Sequence, residues 1–197
     1  MTARWVVDVV QPERDLNITW QPISLLFKNE PPEDSDYFAP VNFTHKLLRV
    51  FESVKAAEGM AAAEALYWQY GAVLHHDRST GDADMDAVMA GGAEPFLEAA
   101  GLDVSHAAAF DDESWDAVIR EKMDAGLALV GNDVGTPIIA FDSPQGRKGI
   151  FGPVISRKPE GEEGLALWDA MATMATMDGF WELKRTRTVG PDFGERP

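Results

Sequence analysis

The 197-residue chain contains no cysteine, which excludes disulfide bonds, thiolate metal sites and a cysteine nucleophile from the sequence as given. It also lacks a long apolar run and a basic stretch followed by an apolar one near its start, so no membrane span or signal peptide is indicated. Its four histidines do not stand with acidic residues at metal-ligand spacing, and we expect no metal site. These absences predict a cytoplasmic protein.

Basic residues are scarce as well. Seventeen lysines and arginines face 33 aspartates and glutamates, giving a net charge of −16. Such a chain repels phosphate groups, so we expect neither a nucleic-acid nor a membrane partner. The one local exception is the basic segment 182–188, with the sequence ELKRTRT. This segment can pair with acidic residues on the surface, or it can attract an anionic thiol cofactor.

Hydrophobic periodicity predicts the elements of the first two thirds. Apolar residues at helical spacing predict a helix from residue 3 to about residue 10, and Pro12 should prevent much continuation. Alternation over residues 16–21 predicts a strand. A block of amphipathic helices follows from Phe43 onward, with a break at Gly59.

The last third changes character. Residues 137–141 and 149–155 have strand patterns, and the turn-forming sequence at 142–146 lies between them, which predicts a β-hairpin. A closing helix is marked by apolar residues from Leu165 to Met174. We expect Trp168 and Trp181 to pack with this helix. The order is therefore helix, strand, helical block, hairpin and helix.

Several short motifs run from the first residues to near the end of the chain: TARW at 2–5, SL at 24–25, NE at 29–30, VGTP at 134–137, FGPVISR at 151–157, GEE at 161–163, LWD at 167–169 and ELKRTRT at 182–188. Together with the order of the elements, these motifs resemble the actinobacterial DsbA-like proteins that include mycothiol-dependent nitroreductase. The resemblance implies an α/β fold of thioredoxin-like (DsbA-like) type with a large α-helical insertion. Residues 1–30 and 131–197 would form the thioredoxin-like part, and residues 37–130 the insertion.

In that family, a strand and a Cys-Pro-x-x turn come directly before the segment that here begins at Met1. The N-terminal strand and the cysteine motif are therefore missing from this chain. We hypothesise that Met1 is an internal methionine and that the natural protein begins upstream and carries the cysteine. The competing hypothesis is a cysteine-free relative that acts as a binding or dimerisation scaffold.

The implied activity is thiol-disulfide exchange or reduction of a nitro-aromatic substrate, in which a thiolate on the first helix reacts with mycothiol. The chain as written would be inactive, because no residue replaces the thiolate, and whether it is an enzyme stays open. A glutathione-transferase-kappa-like or isomerase activity is the alternative among enzymes. The resemblance implies mycothiol as a thiol co-substrate, no covalently bound cofactor, a small-molecule or disulfide substrate, and a homodimer.

Five residues are candidates for the thiol or substrate pocket by resemblance, and none is a catalytic nucleophile. They are Thr136, Pro137, Asn29, Tyr37 and His75. Pro137 is expected after a cis peptide bond that exposes the Thr136 backbone, although a strand-initiating proline fits the sequence too. For Asn29 and Tyr37 the other interpretation is ordinary loop polarity, and for His75 it is an interaction with the negative end of a helix.

The other histidines carry no functional pattern. His45 and His106 stand alone in the sequence, with no motif around either.

Overall fold

The computed structural model describes residues 1–144 and 146–196, which divide into two units. The hairpin unit comprises Met1–Ile18 and Ala125–Gly194. The helical unit comprises Thr19–Asp124 and a short piece of chain that begins at Glu195. The domain limits expected from the sequence stay a prediction.

The chain opens with a helical run over residues 2–14, called α1. Its parts are the α-helical Thr2–Trp5, the π-helical Val6–Val10 and the α-helical Gln11–Arg14. The helix extends past the predicted limit but continues only to Arg14, so the prediction that Pro12 prevents much continuation is confirmed. Pro12 lies in the first turn of the last stretch, where a backbone N–H is not needed inside the helix. The run ends at Asp15, whose φ is 47°.

The strand predicted over residues 16–21 is also wrong, since these residues have no ladder partner in the described part of the chain. A strand needs a neighbour with which to exchange hydrogen bonds. The alternation reflects burial instead: Leu16 and Ile18 pack on the core of the hairpin unit, and Trp20 packs on that of the helical unit.

Five labelled α-helices follow in the helical unit. They are α2 (Leu25–Asn29), α3 (Phe38–Glu58), α4 (Met60–Gly71), α5 (Met85–Gly91) and α6 (Glu94–Ala99). Helix α4 continues through the π-helical Ala72–Asp77 and the short Arg78–Thr80, and the 3-10 helices Val104–Asp111 and Glu113–Trp115 come after α6. The predicted break at Gly59 is confirmed, because this residue separates α3 from α4 with a φ of 89°.

The core of the helical unit is built around the apolar face of α3. Leu47, Val50 and Val54 are almost completely buried there, and Leu66 of α4 and Leu97 of α6 pack against them. In this unit the apolar residues at helical spacing therefore face the core, as the amphipathic pattern of the sequence predicts.

Helix α7 (Asp116–Val130) leads to the predicted hairpin, which is confirmed. Strands β1 (Ile138–Ser143) and β2 (Gly146–Phe151) pair antiparallel, with Ile138 opposite Phe151. The second strand starts three residues earlier than residue 149, and Gln145 of the expected turn lies outside the described residues. The ladder ends before Pro153, which has no N–H to donate.

The closing helix α8 (Gly161–Thr176) packs on α1 within the hairpin unit. Trp5 and Trp168 meet edge to face at 5.9 Å, so the expected packing of Trp168 is confirmed. A Cβ on Gly164 would stand 2.8 Å from the carbonyl oxygen of Pro159, so only glycine permits this approach. The packing expected for Trp181 is wrong: this residue follows the end of α8 and is 89% exposed.

The described residues form a mixed α/β structure, mainly helical, with one two-stranded sheet. No helix within residues 1–144 and 146–196 is both long and apolar enough to cross a membrane.

Candidate functional site

Asn29 and Tyr37 form a side-chain pair at the surface of the helical unit. The amide nitrogen of Asn29 donates a hydrogen bond of 3.1 Å to the hydroxyl oxygen of Tyr37. Both residues are exposed, Tyr37 to 45%. The structure thus brings together two of the residues that the sequence resemblance selected.

The local sequence explains how the pair forms. Asn29 is the last residue of α2, and Glu30 ends this helix in the left-handed conformation, with its N–H bonded to the carbonyl oxygen of Leu26. The loop then turns at Pro32, whose carbonyl oxygen accepts from both the N–H and the hydroxyl of Ser35. This turn places Tyr37 at the start of α3, next to the end of α2.

His75 lies elsewhere in the helical unit, in the π-helical stretch that follows α4. Its side chain is exposed. The short Arg78–Thr80 helix begins three residues further on and ends at Gly81, which has a φ of 81°. Although part of its surface is exposed, desolvation by the surrounding groups lowers the pKa of the His75 imidazole, which is therefore neutral at pH 7 and is not the cation that the dipole interpretation requires.

A line of four hydrogen-bonded polar side chains begins at the start of α2, and the sequence did not reveal it. Its members are Ser24, His45, Asp116 and Arg49. The hydroxyl of Ser24 stands 3.0 Å from Nδ1 of His45, and Nε2 of His45 stands 3.1 Å from Oδ1 of Asp116. Arg49 binds both oxygens of the same carboxylate, at 2.6 and 2.7 Å. Ser24 and His45 are 0% and 1% exposed, so these groups do not reach a ligand in solution.

The charges in this line are set by burial and by Arg49. Burial lowers the pKa of His45, which keeps its imidazole neutral at pH 7. For Asp116, burial is the largest single influence and acts to raise the pKa, but the hydrogen bonds and electrostatic attraction of Arg49 and His45 together outweigh it, and the pKa lies below its usual value. The bidentate Arg49–Asp116 pair is therefore fully charged, beside a neutral histidine.

A weak signal for this line is visible in the sequence. His45 and Arg49 are four residues apart, so they share one face of a helix and can reach a common acid. Ser24 precedes an apolar turn in the manner of an N-cap. Neither signal identifies Asp116, which is 71 positions beyond His45.

Thr136 and Pro137 belong to the hairpin unit and lead into β1. The Thr136–Pro137 peptide bond is cis, as is Gly152–Pro153. Thr136 is exposed, and the carbonyl oxygen of Pro137 accepts from the N–H of Gly152 at 2.8 Å. The two residues therefore sit directly beside the end of the hairpin.

The N-terminus of α1 is tied to the same loop within the hairpin unit. The hydroxyl of Thr2 donates to the carbonyl oxygen of Pro153 at 2.8 Å, and Thr2 itself is buried. The start of the first helix and the loop after β2 are thus held together by one side chain.

A shallow depression of about 360 Å³ elsewhere in the hairpin unit contains none of the candidate residues. It is lined by Asp8, Val9, Pro12, Glu13, Glu160, Gly161, Glu162 and Leu165. Its carboxylates would repel an anionic ligand. A search of residues 1–144 and 146–196 finds no group of three or more histidines and acids that could hold a metal ion.

Comparison with protein families assigns the chain to one of them. The residues from 1 to 185 match the model of the Rv2466c-like family, described as mycothiol-dependent nitroreductase Rv2466c. The chain belongs to this family.

Proposed function

We propose that this chain is the thiol-binding framework of a mycothiol-dependent oxidoreductase with a thioredoxin-like fold, in which Asn29 and Tyr37 bind mycothiol. Membership of the mycothiol-dependent nitroreductase family over residues 1–185 supports the cofactor class. The chemical step needs a thiolate, which none of the 197 residues supplies. The chain as written therefore binds the thiol without transferring electrons.

The observation that carries this proposal is the Asn29–Tyr37 hydrogen bond. After that bond is made, the Asn29 amide keeps one N–H and its carbonyl oxygen, and the Tyr37 hydroxyl keeps its proton. These groups can donate to and accept from the hydroxyl and amide groups of a sugar-linked thiol. Because both side chains are exposed, a ligand reaches them without displacing the core.

Within the hairpin unit, Thr136 and Pro137 are proposed, by resemblance, as residues that contact a thiol. Thr136 is exposed, while the carbonyl of Pro137 is already used by Gly152. The Thr136 backbone is thus the part of this segment offered to an extended ligand. His75 is retained as a further candidate pocket residue because it is exposed and lies in the stretch that follows α4.

Calorimetric titration of the chain with reduced mycothiol tests the proposal. Tyr37→Phe removes only the hydroxyl and is expected to weaken binding by about 3- to 10-fold, the value of one hydrogen bond. Tyr67→Phe makes the same chemical change on α4, where the ring stacks on Trp20, and should leave the affinity unchanged.

Two results would overturn the proposal. The first is a chain that binds no mycothiol, and the second is equal affinity in the wild type and Tyr37→Phe. Binding of glutathione in place of mycothiol would favour the kappa-class transferase alternative.

We propose in addition that two copies of the chain associate through the segment after α8. Trp181 and Leu183 are 89% and 77% exposed there, and the basic residues of segment 182–188 follow directly. The net charge of −16 on each copy acts against association, so the exposed apolar side chains carry this proposal. Light scattering should show a dimer that Trp181→Ser weakens, whereas Val104→Ser, at an exposed apolar residue of the helical unit, should not.

A further inference from the structure

The contacts of Ser24 fix the hydrogen-bond directions along the buried line. Its hydroxyl oxygen accepts the N–H of Phe27 at 3.1 Å, and the hydroxyl proton remains to be donated. The Asp116 carboxylate is ionised and only accepts. A neutral His45 therefore donates from Nε2 to Asp116 and accepts at Nδ1 from Ser24.

The same hydroxyl caps the helix that carries Asn29. Ser24 is the N-cap of α2, and Asn29 is the last of its five residues. A helix of this length is not stable alone in water, so its position depends on its cap and on its tertiary contacts. The main contact is the ring of Phe27, 4.3 Å from the His45 ring and 4.1 Å from the guanidinium of Arg120.

We infer that Ser24, His45 and Asp116 form a positioning relay that holds α2, and so aims the Asn29 amide at Tyr37 and the thiol. Asp116 is fixed by Arg49, His45 is oriented by Asp116, and the Ser24 hydroxyl is oriented by His45. None of the three is a catalytic residue, because Ser24 and His45 are closed off from solvent. The inference rests on the proposed function, in which Asn29 contacts mycothiol.

Two substitutions of His45 separate the halves of the relay. The side-chain oxygen of asparagine can stand where Nδ1 stands, so His45→Asn keeps an acceptor for Ser24 and loses the donor to Asp116. The side-chain nitrogen of glutamine can stand where Nε2 stands, so His45→Gln keeps the donor to Asp116 and loses the acceptor for Ser24. Both remove the ring from a buried position, so they serve as matched controls for loss of stability.

Two measurements are made on both variants: the affinity for reduced mycothiol, and the NMR resonance of the Asn29 side-chain amide. His45→Gln loses the link to Ser24 itself and is expected to lower the affinity about tenfold and to shift the Asn29 resonance, whereas His45→Asn loses only the orienting link to Asp116 and should lower the affinity about threefold. A purely structural role of His45 would affect the two variants alike. Equal affinities and equal Asn29 resonances in the two variants overturn the relay.

The NMR measurement tests this inference independently of the proposed function. A wild-type chain that binds no mycothiol overturns the proposed function, but the Asn29 resonance still reports whether the relay positions α2. If the His45 variants do not fold, Ser24→Ala tests only the last link of the relay, the cap on α2. It should speed hydrogen exchange of the Phe27 amide and weaken mycothiol binding, and unchanged exchange would overturn the relay.

Discussion

The helical unit contains two serine–histidine–carboxylate triplets with nearly the same geometry and different surroundings. In the first, Ser24, His45 and Asp116 are joined at 3.0 and 3.1 Å. The second triplet, Ser53–His106–Glu58, is joined at 2.9 and 2.9 Å. The side chains of His45 and Asp116 are 1% and 26% exposed, and those of His106 and Glu58 are 13% and 38% exposed. The hydrogen-bond distances therefore do not show which triplet contributes more to stability. Burial determines the contribution of each.

Neither triplet has the surroundings of a hydrolytic site. Ser24 is closed off from solvent, and its hydroxyl already accepts the Phe27 N–H. Ser53 lies within α3, where backbone N–H groups are used by the helix and none is available for an oxyanion. The first triplet fastens the start of α2, and the second fastens the 3-10 helix Val104–Asp111 to α3.

The largest difference is expected on removal of the carboxylate. Asp116→Ala leaves the guanidinium of Arg49, 7% exposed, without its bidentate partner. The Asp116 side chain is itself 26% exposed, so the pair is only partly buried. Loss of its charge-assisted hydrogen bonds should lower the free energy of unfolding by about 1.5–3 kcal/mol. Glu58→Ala at the other triplet should cost less than about 1 kcal/mol, because its side chain is partly in water. Urea unfolding of both variants measures the difference.

Equal losses in the two variants would contradict this comparison. They would mean that Arg49 finds another acceptor when Asp116 is removed. The carbonyl oxygen of Phe110, already 3.3 Å from Arg49, is the group that would have to serve.

The next effect is a pH dependence that belongs to the buried triplet. Burial lowers the pKa of His45, with Asp116 acting in the opposite direction and Arg49 and Arg120 in the same direction. Between the unfolded pKa of about 6.5 and this lower value, the unfolded chain binds more protons than the folded chain. His45 therefore contributes full stability above pH 6.5 and loses it as the pH falls, by up to about 1.4 kcal/mol per pH unit.

Unfolding of the wild type and His45→Asn between pH 7.5 and 5 isolates this contribution. The difference between their free energies of unfolding should shrink toward acid pH, since only the wild type must keep its imidazole neutral. A constant difference would show that His45 titrates alike in the folded and unfolded chains.

The comparison also shows what sequence patterns can predict here. The hairpin and the break at Gly59 were predicted because strand alternation, turn residues and positive φ are local properties. The strand at 16–21 failed because the same alternation arises wherever alternate residues are buried, with or without a partner strand.

The residues of the candidate site likewise divide into those that a local pattern can identify and those that it cannot. Asn29 and Tyr37 are eight positions apart, and a motif could select them. His45 stands between apolar Phe43 and Leu47 on a core-facing helix, where nothing local distinguishes it from a packed residue. Its function depends on Ser24, 21 positions before it, and on Asp116, 71 positions after it. Only the fold brings these residues together.

The smallest expected difference concerns the two serines. Ser24→Ala removes an N-cap acceptor together with the hydrogen bond to His45, and a lost cap costs about 1 kcal/mol. Ser53→Ala removes one hydrogen bond to a histidine that keeps its contact with Glu58, and should cost about 0.5 kcal/mol. Thermal unfolding compares the stability lost in the two variants, and hydrogen exchange shows which part of the chain has lost it. The Phe27 amide should exchange faster in Ser24→Ala and at the wild-type rate in Ser53→Ala. A Ser53→Ala variant with the greater loss would reverse the ranking, and burial would then not be what distinguishes the two triplets.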